Sequence, residues 1–114
     1  MHVVIVGCGR VGSTLGRELT AAGHTAAVID RKPEAFSRLG EAFTGQKITG
    51  IGFDRDVLIE AGIERAGALA SVTNGDNSNI LIARVAREEF GIERVVARIY
   101  DPKRAEIYER LGIA

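Results

Sequence analysis

The segment from Gly7 to Gly12 constrains the fold more than any other part of the sequence. It reads Gly-Cys-Gly-Arg-Val-Gly, follows directly on the apolar residues 3–6 and leads straight into a stretch with helical periodicity. In the pattern G-x-G-x-x-G between a strand and a helix, the glycines make a tight turn, admit a pyrophosphate close to the backbone and let helix and strand pack closely. The segment therefore predicts a βα unit with a phosphate site at the helix N-terminus.

Short apolar runs alternate with stretches of helical pattern along the whole chain. The predicted strands cover residues 3–6, 25–29, 47–49, 68–72 and 94–99. The first predicted helix follows the glycine turn of residues 7–12 and ends at Gly23. Further predicted helices cover residues 32–39, 56–61 and 78–90, and a last one opens at Asp101-Pro102. We expect Val11 to belong to the apolar stripe of the first helix, and Ile107 and Leu111 to face inward from the last.

This alternation favours parallel strands joined by right-handed crossovers, with helices on both faces of the sheet. The predicted fold class is therefore α/β, a Rossmann-like doubly wound parallel sheet of five strands in the order 3-2-1-4-5. A length of 114 residues predicts a single domain over residues 1–114.

The charge balance excludes several classes of function. Fifteen Lys and Arg residues match fifteen Asp and Glu residues, so the net charge is zero. A neutral chain offers no electrostatic basis for binding nucleic acid or an anionic membrane. No apolar run approaches the roughly 18 residues of a membrane helix, so we expect no direct membrane insertion. A single cysteine excludes an internal disulfide and favours a reducing, cytoplasmic compartment.

Asp30 provides a second signal for a nucleotide. It ends the second predicted strand about 20 residues after the glycines, where an acidic side chain accepts hydrogen bonds from ribose hydroxyls. A carboxylate there repels a 2′-phosphate, which disfavours NADP, although the neighbouring Arg31 is a residue type that accepts one. The alternative for Asp30 is a helix N-cap or an exposed acid in a turn. His24 has no partner at metal-ligand spacing, so we predict no metal site.

Five stretches of the chain resemble one family, the regulators of potassium conductance, in the N-terminal nucleotide-binding domain of Trk/Ktr-type potassium-uptake subunits. The stretches are residues 7–12, 28–30, 54–63, 73–79 (Thr-Asn-Gly-Asp-Asn-Ser-Asn) and 97–102 (Ala-Arg-Ile-Tyr-Asp-Pro). The resemblance implies a domain that binds NAD(H) or ATP/ADP and passes the ligand state to a membrane potassium channel or transporter subunit. It also implies a homodimer, and a higher ring in the full-length form.

The resemblance also implies roles for individual residues. The glycines would line the phosphates, Arg10 would reach them as far as a γ-phosphate, and Asp30 would hold the ribose. Thr73 and Asn74 would border the distal half of the ligand, and Arg98 would face the same crevice. The candidate nucleotide-binding set is Gly7, Cys8, Gly9, Arg10, Val11, Gly12, Asp30, Arg31, Thr73, Asn74 and Arg98.

Other interpretations of these side chains stay open at this point. The alternative for Arg10 is an ion pair with a surface carboxylate, and the alternative for Arg98 is a salt bridge at the end of a strand. Asn79 is expected to cap or brace the helix that begins near it. Cys8, close to a helix N-terminus, is either a thiol with a lowered pKa or simply a small side chain that the loop tolerates.

The sequence departs from the family at three places, one of which is Gly75, where an acid is common in family members. Ile51 stands where family members often have an acid or amide that meets the adenine amino group, so we expect adenine to be recognised by backbone groups and apolar contact. The chain ends at Ala114, where the family continues into a sixth strand, a crossover helix and often a second domain. We therefore expect residues 1–114 to lack these elements.

Three functions of different class remain at this stage. The first is a cytoplasmic regulatory module without chemistry of its own, attached to the inner face of the membrane through its partner. The second is the cofactor-binding half of an NAD-dependent oxidoreductase. The third is an assembly domain in which the nucleotide is a structural element.

Overall fold

A computed structural model describes residues 1–110, apart from the side chain of Tyr108. The strands are β1 (His2–Val6), β2 (Thr25–Asp30), β3 (Gln46–Thr49), β4 (Ala68–Ser71) and β5 (Arg94–Ala97). The helices are α1 (Arg10–Ala21), α2 (Arg55–Glu60), α3 (Asp76–Phe90) and α4 (Pro102–Arg110), with 3₁₀ segments at Pro33–Leu39 and Ile63–Arg65. None of the helices in this range is both long and apolar enough to cross a membrane.

The five strands form one parallel sheet in the order β3-β2-β1-β4-β5, which confirms the predicted fold class and strand order. The central strand β1 ends at Val6, which pairs with Ile29 of β2 and Ser71 of β4. The chain leaves β1 toward β2 first and reaches β4 only later, so the winding direction reverses beside β1. In open α/β sheets a crevice forms outside the carboxyl ends of the strands at such a reversal.

Two hydrophobic layers cover the sheet, and β1 contributes to both because successive side chains of a strand point to opposite faces. Val4 and Val6 pack with residues of α2 and α3, such as Leu58 and Ile82. Val3 and Ile5 belong to the layer that includes the 3₁₀ segment Pro33–Leu39 and the partly buried Leu15 and Leu19 of α1. The sheet is thus held rigidly from both sides, which fixes the carboxyl edge where the loops converge.

Several element ends are shifted by one or two residues, such as the start of α3, which lies at Asp76 and not at residue 78, and two differences have a structural cause. The second predicted helix is a 3₁₀ segment, Pro33–Leu39, because the stretch between Pro33 and a Gly40 with φ +73° is short and is closed by i to i+3 bonds. The fifth strand ends at Ala97 instead of residue 99. The Arg98 N–H still donates to Ser71, but its carbonyl accepts from the Asn79 side chain and leaves the strand ladder.

Two apolar side chains expected to face inward do not. Val11 is 40% exposed, because α1 lies on the sheet through its small residues Gly12, Ser13 and Gly16, and Val11 sits outside that stripe. Ile107 is 55% exposed, since α4 does not pack its length against a face of the sheet. Leu111, expected to face inward as well, lies outside the described residues.

Candidate functional site

The loop after β1 fits its surroundings only with glycine at its first position. Gly7 has φ +105°, and a Cβ there would lie 2.9 Å from the backbone nitrogen of Thr73. The Gly7 N–H also donates to the carbonyl of Ile29 at 2.7 Å. The loop is therefore held between the carboxyl ends of β2 and β4, and a side chain at this position would push them apart.

The third glycine brings α1 onto the same loop. A Cβ at Gly12 would overlap the carbonyl oxygen of Gly7 and lie 3.3 Å from the side chain of Val72. The first turn of α1 can approach β1 this closely only because position 12 has no side chain. The packing role expected for the third glycine is what the geometry shows.

The middle glycine lies beside open space. Gly9 is the N-cap of α1 in an extended conformation, and no side chain of residues 1–110 caps the helix there. A Cβ built on Gly9 would meet no atom of the described residues within 4 Å. Uncapped N–H groups and the positive end of the helix dipole make this space suitable for an anion such as a phosphate.

The Asp30 carboxylate is placed against the glycine loop from the β2 side. It accepts the Cys8 N–H at 2.8 Å and the Lys32 N–H at 2.9 Å, one on each oxygen. It therefore does not cap the following 3₁₀ segment, whose N-cap is Lys32 without a side-chain bond. A carboxylate oxygen accepts more than one hydrogen bond, so both oxygens keep capacity for hydroxyl donors.

Cys8 contributes to the loop only through its main chain. Its side chain is fully buried, and the thiol donates to the Ala35 carbonyl at 3.4 Å. Burial raises the pKa of the Cys8 thiol and the Asp30 carboxylate raises it further, against the opposing effect of nearby cations including Arg38. The thiol therefore remains protonated at neutral pH and faces the core, as a tolerated small side chain would.

The two cationic residues predicted near the phosphate site, Arg10 at the start of α1 and Arg31 after β2, have exposed side chains. Neither guanidinium forms a hydrogen bond or ion pair with any side chain in residues 1–110. The surface ion pair that was the alternative for Arg10 is thus not formed in this range. Val11, beside Arg10, is also exposed at this end of α1.

Arg38 is a residue of this site that the sequence did not reveal. Its guanidinium donates to the Cys8 carbonyl at 3.4 Å, and its own carbonyl accepts from Arg17. Arg38 thus bonds to the Cys8 carbonyl, whereas Asp30 bonds to the Cys8 N–H. No motif spacing marks Arg38, because its approach depends on how the 3₁₀ segment packs on α1.

The chain after β4 is shaped by Asn79, a fully buried residue of α3. Its Oδ1 accepts from Ser71 Oγ at 3.0 Å and from the Thr73 N–H and hydroxyl at 2.9 and 2.6 Å. Its Nδ2 donates to the carbonyls of Thr73 and Arg98 at 3.0 and 2.6 Å. The expected bracing role of Asn79 is confirmed, and the Thr73 hydroxyl donates to this amide.

The other residues predicted on this side of the cleft are less constrained. Asn74 is exposed and its side chain has no hydrogen-bond partner among the described residues. Arg98 is exposed, and its guanidinium stacks on the ring of Tyr100 at 4.7 Å from the centroid. It therefore does not form the strand-end salt bridge that was its alternative, and its side chain is committed to Tyr100.

The carboxyl edge of the sheet thus brings together four predicted features: the glycine loop, Asp30, the Thr73 turn and Ile51. Ile51 is exposed and follows Gly50, whose N–H donates to the carbonyl of Asp30 at 3.0 Å. This edge can hold an anion at the α1 N-terminus and accept hydrogen bonds from hydroxyls at Asp30. In residues 1–110 no group of three or more potential metal-ligating side chains is present.

Comparison with known proteins shows the family to which the chain belongs. Residues 3–114 match the model of the family described as the TrkA-N domain. The chain belongs to the TrkA-N domain family. It is 67% identical over 113 residues to the Trk system potassium uptake protein TrkA of Streptomyces coelicolor. The aligned residues make up 99% of this chain and 51% of that protein. The chain therefore spans about half the length of the curated relatives it matches.

Solved structures support the same family. The Kef CTD of Shewanella denitrificans, determined in an AMP-bound form, superposes with a TM-score of 0.86 at 27% identity, covering 100% of this chain and 69% of that one. The TrkA-N domain of the Escherichia coli inner membrane protein ybaL gives a TM-score of 0.76 at 31% identity, covering 96% of this chain and 81% of that one. The fold of this chain is thus shared by the Kef CTD and by the TrkA-N domain of ybaL.

The packing of the glycines predicts a loss of stability for one alanine substitution and almost no change for another. Gly12→Ala should lower the free energy of unfolding by about 1–3 kcal/mol, because its methyl group overlaps the Gly7 carbonyl. Gly9→Ala should leave stability within about 0.5 kcal/mol, because its methyl group enters open space. Urea denaturation measures both, and a Gly12→Ala variant as stable as the parent would contradict the close packing.

If the Asp30 carboxylate accepts a hydrogen bond from the ribose of a bound nucleotide, removing the carboxylate and removing the ribose 2′-hydroxyl should weaken binding through the same contact. With ADP as the probe, Asp30→Ala should weaken binding about tenfold, and 2′-deoxy-ADP should bind the parent about tenfold more weakly than ADP. The two losses should not add, because each removes the same hydrogen bond. Calorimetric titration of both proteins with both ligands measures this coupling. If Asp30→Ala also bound 2′-deoxy-ADP about tenfold more weakly than ADP, the contact would be ruled out. Asp56→Ala is the control and should show the same affinities as the parent.

Proposed function

We propose that this chain binds an adenine nucleotide, NAD(H) or ATP/ADP, across the carboxyl edge of β1, β2 and β4. The observation that carries the proposal is the uncapped N-terminus of α1 beside open space at Gly9. The phosphates lie there, on the N–H groups of the first turn. The ribose lies next to Asp30, and the distal half of the ligand extends toward the Thr73 turn.

Individual residues take distinct parts in this proposal. Cys8 contributes its main chain to the phosphate site, and Arg31 and the exposed Val11 line its two ends. Arg10 reaches the terminal phosphates, since its guanidinium has no protein partner in residues 1–110. Asn74 and Arg98 border the distal half, where Arg98 must leave the Tyr100 ring to contact a ligand. Adenine rests on Ile51 through apolar contact.

The choice of adenine nucleotides is supported by a related structure. The Kef CTD that shares this fold at 27% identity was solved with AMP. AMP is the part that NAD, ATP and ADP have in common, so a site for it is compatible with all of them. A carboxylate at Asp30 disfavours the 2′-phosphate of NADP.

At the level of the whole protein we propose a cytoplasmic regulatory subunit of a potassium-uptake system, with a membrane channel or transporter subunit as partner. Support comes from the relative at 67% identity, which is named a Trk system potassium uptake protein. We propose no catalytic step for this domain, because that relative is named for uptake and not for an enzyme activity. The functional unit is a homodimer, which converts a local change into a change in subunit angle.

The regulatory mechanism is thermodynamic linkage. A ligand shifts the equilibrium between two arrangements only by its differential affinity for them. NAD, ATP and ADP share the adenosine and the first phosphates, so discrimination arises beyond them. Arg10 and the Thr73 turn are the groups at that end of the cleft.

Arg10 provides a direct test of ligand discrimination. Arg10→Ala should reduce the ratio of ATP to ADP affinity about tenfold, because a guanidinium contact to a γ-phosphate is a charge-assisted hydrogen bond. Calorimetry with both nucleotides at fixed magnesium measures the ratio. Arg84→Ala is the control, since Arg84 is an exposed arginine of α3 paired with Glu88. An unchanged ratio in Arg10→Ala would remove Arg10 from the γ-phosphate site.

The proposed binding is tested by calorimetric titration of nucleotide-free protein with NAD, NADH, ATP, ADP and NADP. Dissociation constants of about 1–100 μM for at least one of the first four are expected, with NADP bound at least about tenfold more weakly. Equal affinity for NADP would contradict the role of Asp30. Absence of binding for all five would overturn the proposal and leave assembly as the function of the domain.

A further inference from the structure

The ends of β4 and β5 are fastened to each other by side chains of one short turn. We call residues 73–79 the α3 turn and residues 98–104 the exit segment, since the latter leads out of the sheet after β5. Both lie at the carboxyl edge, and the α3 turn begins beside the glycine loop. The contacts between them are made by the side chains of three residues, Asp76, Asn77 and Asn79.

Asn79 connects the two segments from inside the protein. Its oxygen accepts the Thr73 N–H and hydroxyl, while its nitrogen donates to the Arg98 carbonyl at 2.6 Å. The residue is fully buried, so these bonds are not exchanged for bonds to water. A single amide group therefore fixes the start of the α3 turn relative to the start of the exit segment.

Asp76 and Asn77 repeat the connection at the surface. The Asp76 carboxylate accepts the Tyr100 N–H at 2.6 Å and the Asp101 N–H at 3.0 Å. The side-chain oxygen of Asn77 accepts from Arg104 at 2.8 Å. The exit segment is thus held to the α3 turn at successive points, and a movement of the turn carries the segment with it.

On its other side the α3 turn is in close contact with the glycine loop. A Cβ added to Gly7 would lie 2.9 Å from the Thr73 nitrogen, and one added to Gly12 would lie 3.3 Å from the side chain of Val72, the residue before the turn. Close-packed groups of this kind transmit small displacements instead of absorbing them. Thr73 thus lies between the glycine loop and Asn79, in contact with the first and hydrogen-bonded to the second.

We propose that Asp76 and Asn79 are positioning residues that couple occupancy of the nucleotide site to the conformation of the exit segment. The proposal rests on the proposed nucleotide binding and adds the route by which it is reported. Neither side chain contacts the nucleotide: both act through the main chain at residues 73 and 98–101. The exit segment is largely exposed, so the coupling carries the state of the cleft to the protein surface.

Hydrogen exchange of the chain with and without ADP tests the coupling. In the parent, ADP should slow exchange about fivefold or more in peptides covering residues 6–13 and also in those covering residues 97–104. In Asp76→Ala the slowing at 6–13 should persist, and that at 97–104 should fall to less than about half. Asp56→Ala is the matched control, because Asp56 occupies the equivalent first turn of α2. It should behave as the parent.

Asn79→Asp is a second variant, which tests the amide nitrogen of Asn79 and leaves an acceptor oxygen in place. It keeps an oxygen to accept from the Thr73 N–H and hydroxyl but replaces the nitrogen that donates to the carbonyls of Thr73 and Arg98. ADP should again slow exchange at residues 6–13 and no longer at 97–104. A purely structural role would instead raise exchange throughout the domain, with and without ADP, and that result would overturn the proposal.

The outcomes separate this proposal from the one on which it rests. Slowing at residues 6–13 without slowing at 97–104 in the parent overturns the coupling and leaves nucleotide binding intact. Full slowing at 97–104 in Asp76→Ala removes Asp76 from the route. No slowing anywhere, together with no heat of binding, overturns nucleotide binding and the coupling with it.

Discussion

The close approach of α1 to the end of β1 is the contact on which the rest of this domain depends. It exists because Gly12 presents no side chain to the carbonyl oxygen of Gly7. The approach places the first turn of α1 at the carboxyl edge of the sheet, directly above the reversal of winding direction. The open space at Gly9 is a consequence, since a helix held at this distance presents its N-terminus to the crevice and not to a neighbouring strand.

The two sides of the crevice are held by different chemistry. On the β2 side a carboxylate, Asp30, accepts main-chain N–H groups of the loop and keeps acceptor capacity for a ligand. On the β4 side a buried amide, Asn79, organises the Thr73 turn and reaches the end of β5. The first arrangement suits recognition of a ribose. The second connects the crevice with the surface, because Asn79 bonds to Thr73 beside the crevice and to the carbonyl of the exposed Arg98 after β5.

The parts of the fold that the sequence predicts are those governed by local rules. The alternation of apolar runs and helical stretches predicts the parallel sheet, and residues 3–6 with the glycine pattern predict the loop at its edge. Val11 and Ile107 were placed wrongly, because helical periodicity identifies an apolar stripe but not the surface it meets. Glycines and a serine proved to form the buried stripe of α1 instead.

Other features of the site depend on packing between distant segments. The approach of Arg38 to Cys8 spans 30 residues, and the bond from Tyr100 to Asp76 spans 24. No spacing rule covers such pairs, because their geometry is set only when the 3₁₀ segment and the exit segment have packed. The orientation of Cys8 toward the core also depends on this packing. Burial of the side chain raises the pKa of its thiol, an effect that the position of Cys8 in the loop does not predict.

The most direct test of nucleotide binding at this edge is a crystal structure of the chain with ADP. The account predicts phosphate oxygens within hydrogen-bond distance of the N–H groups at the start of α1 and ribose hydroxyls on the Asp30 carboxylate. A complex with ADP bound elsewhere on the domain would contradict it. So would one in which the ribose lies away from Asp30.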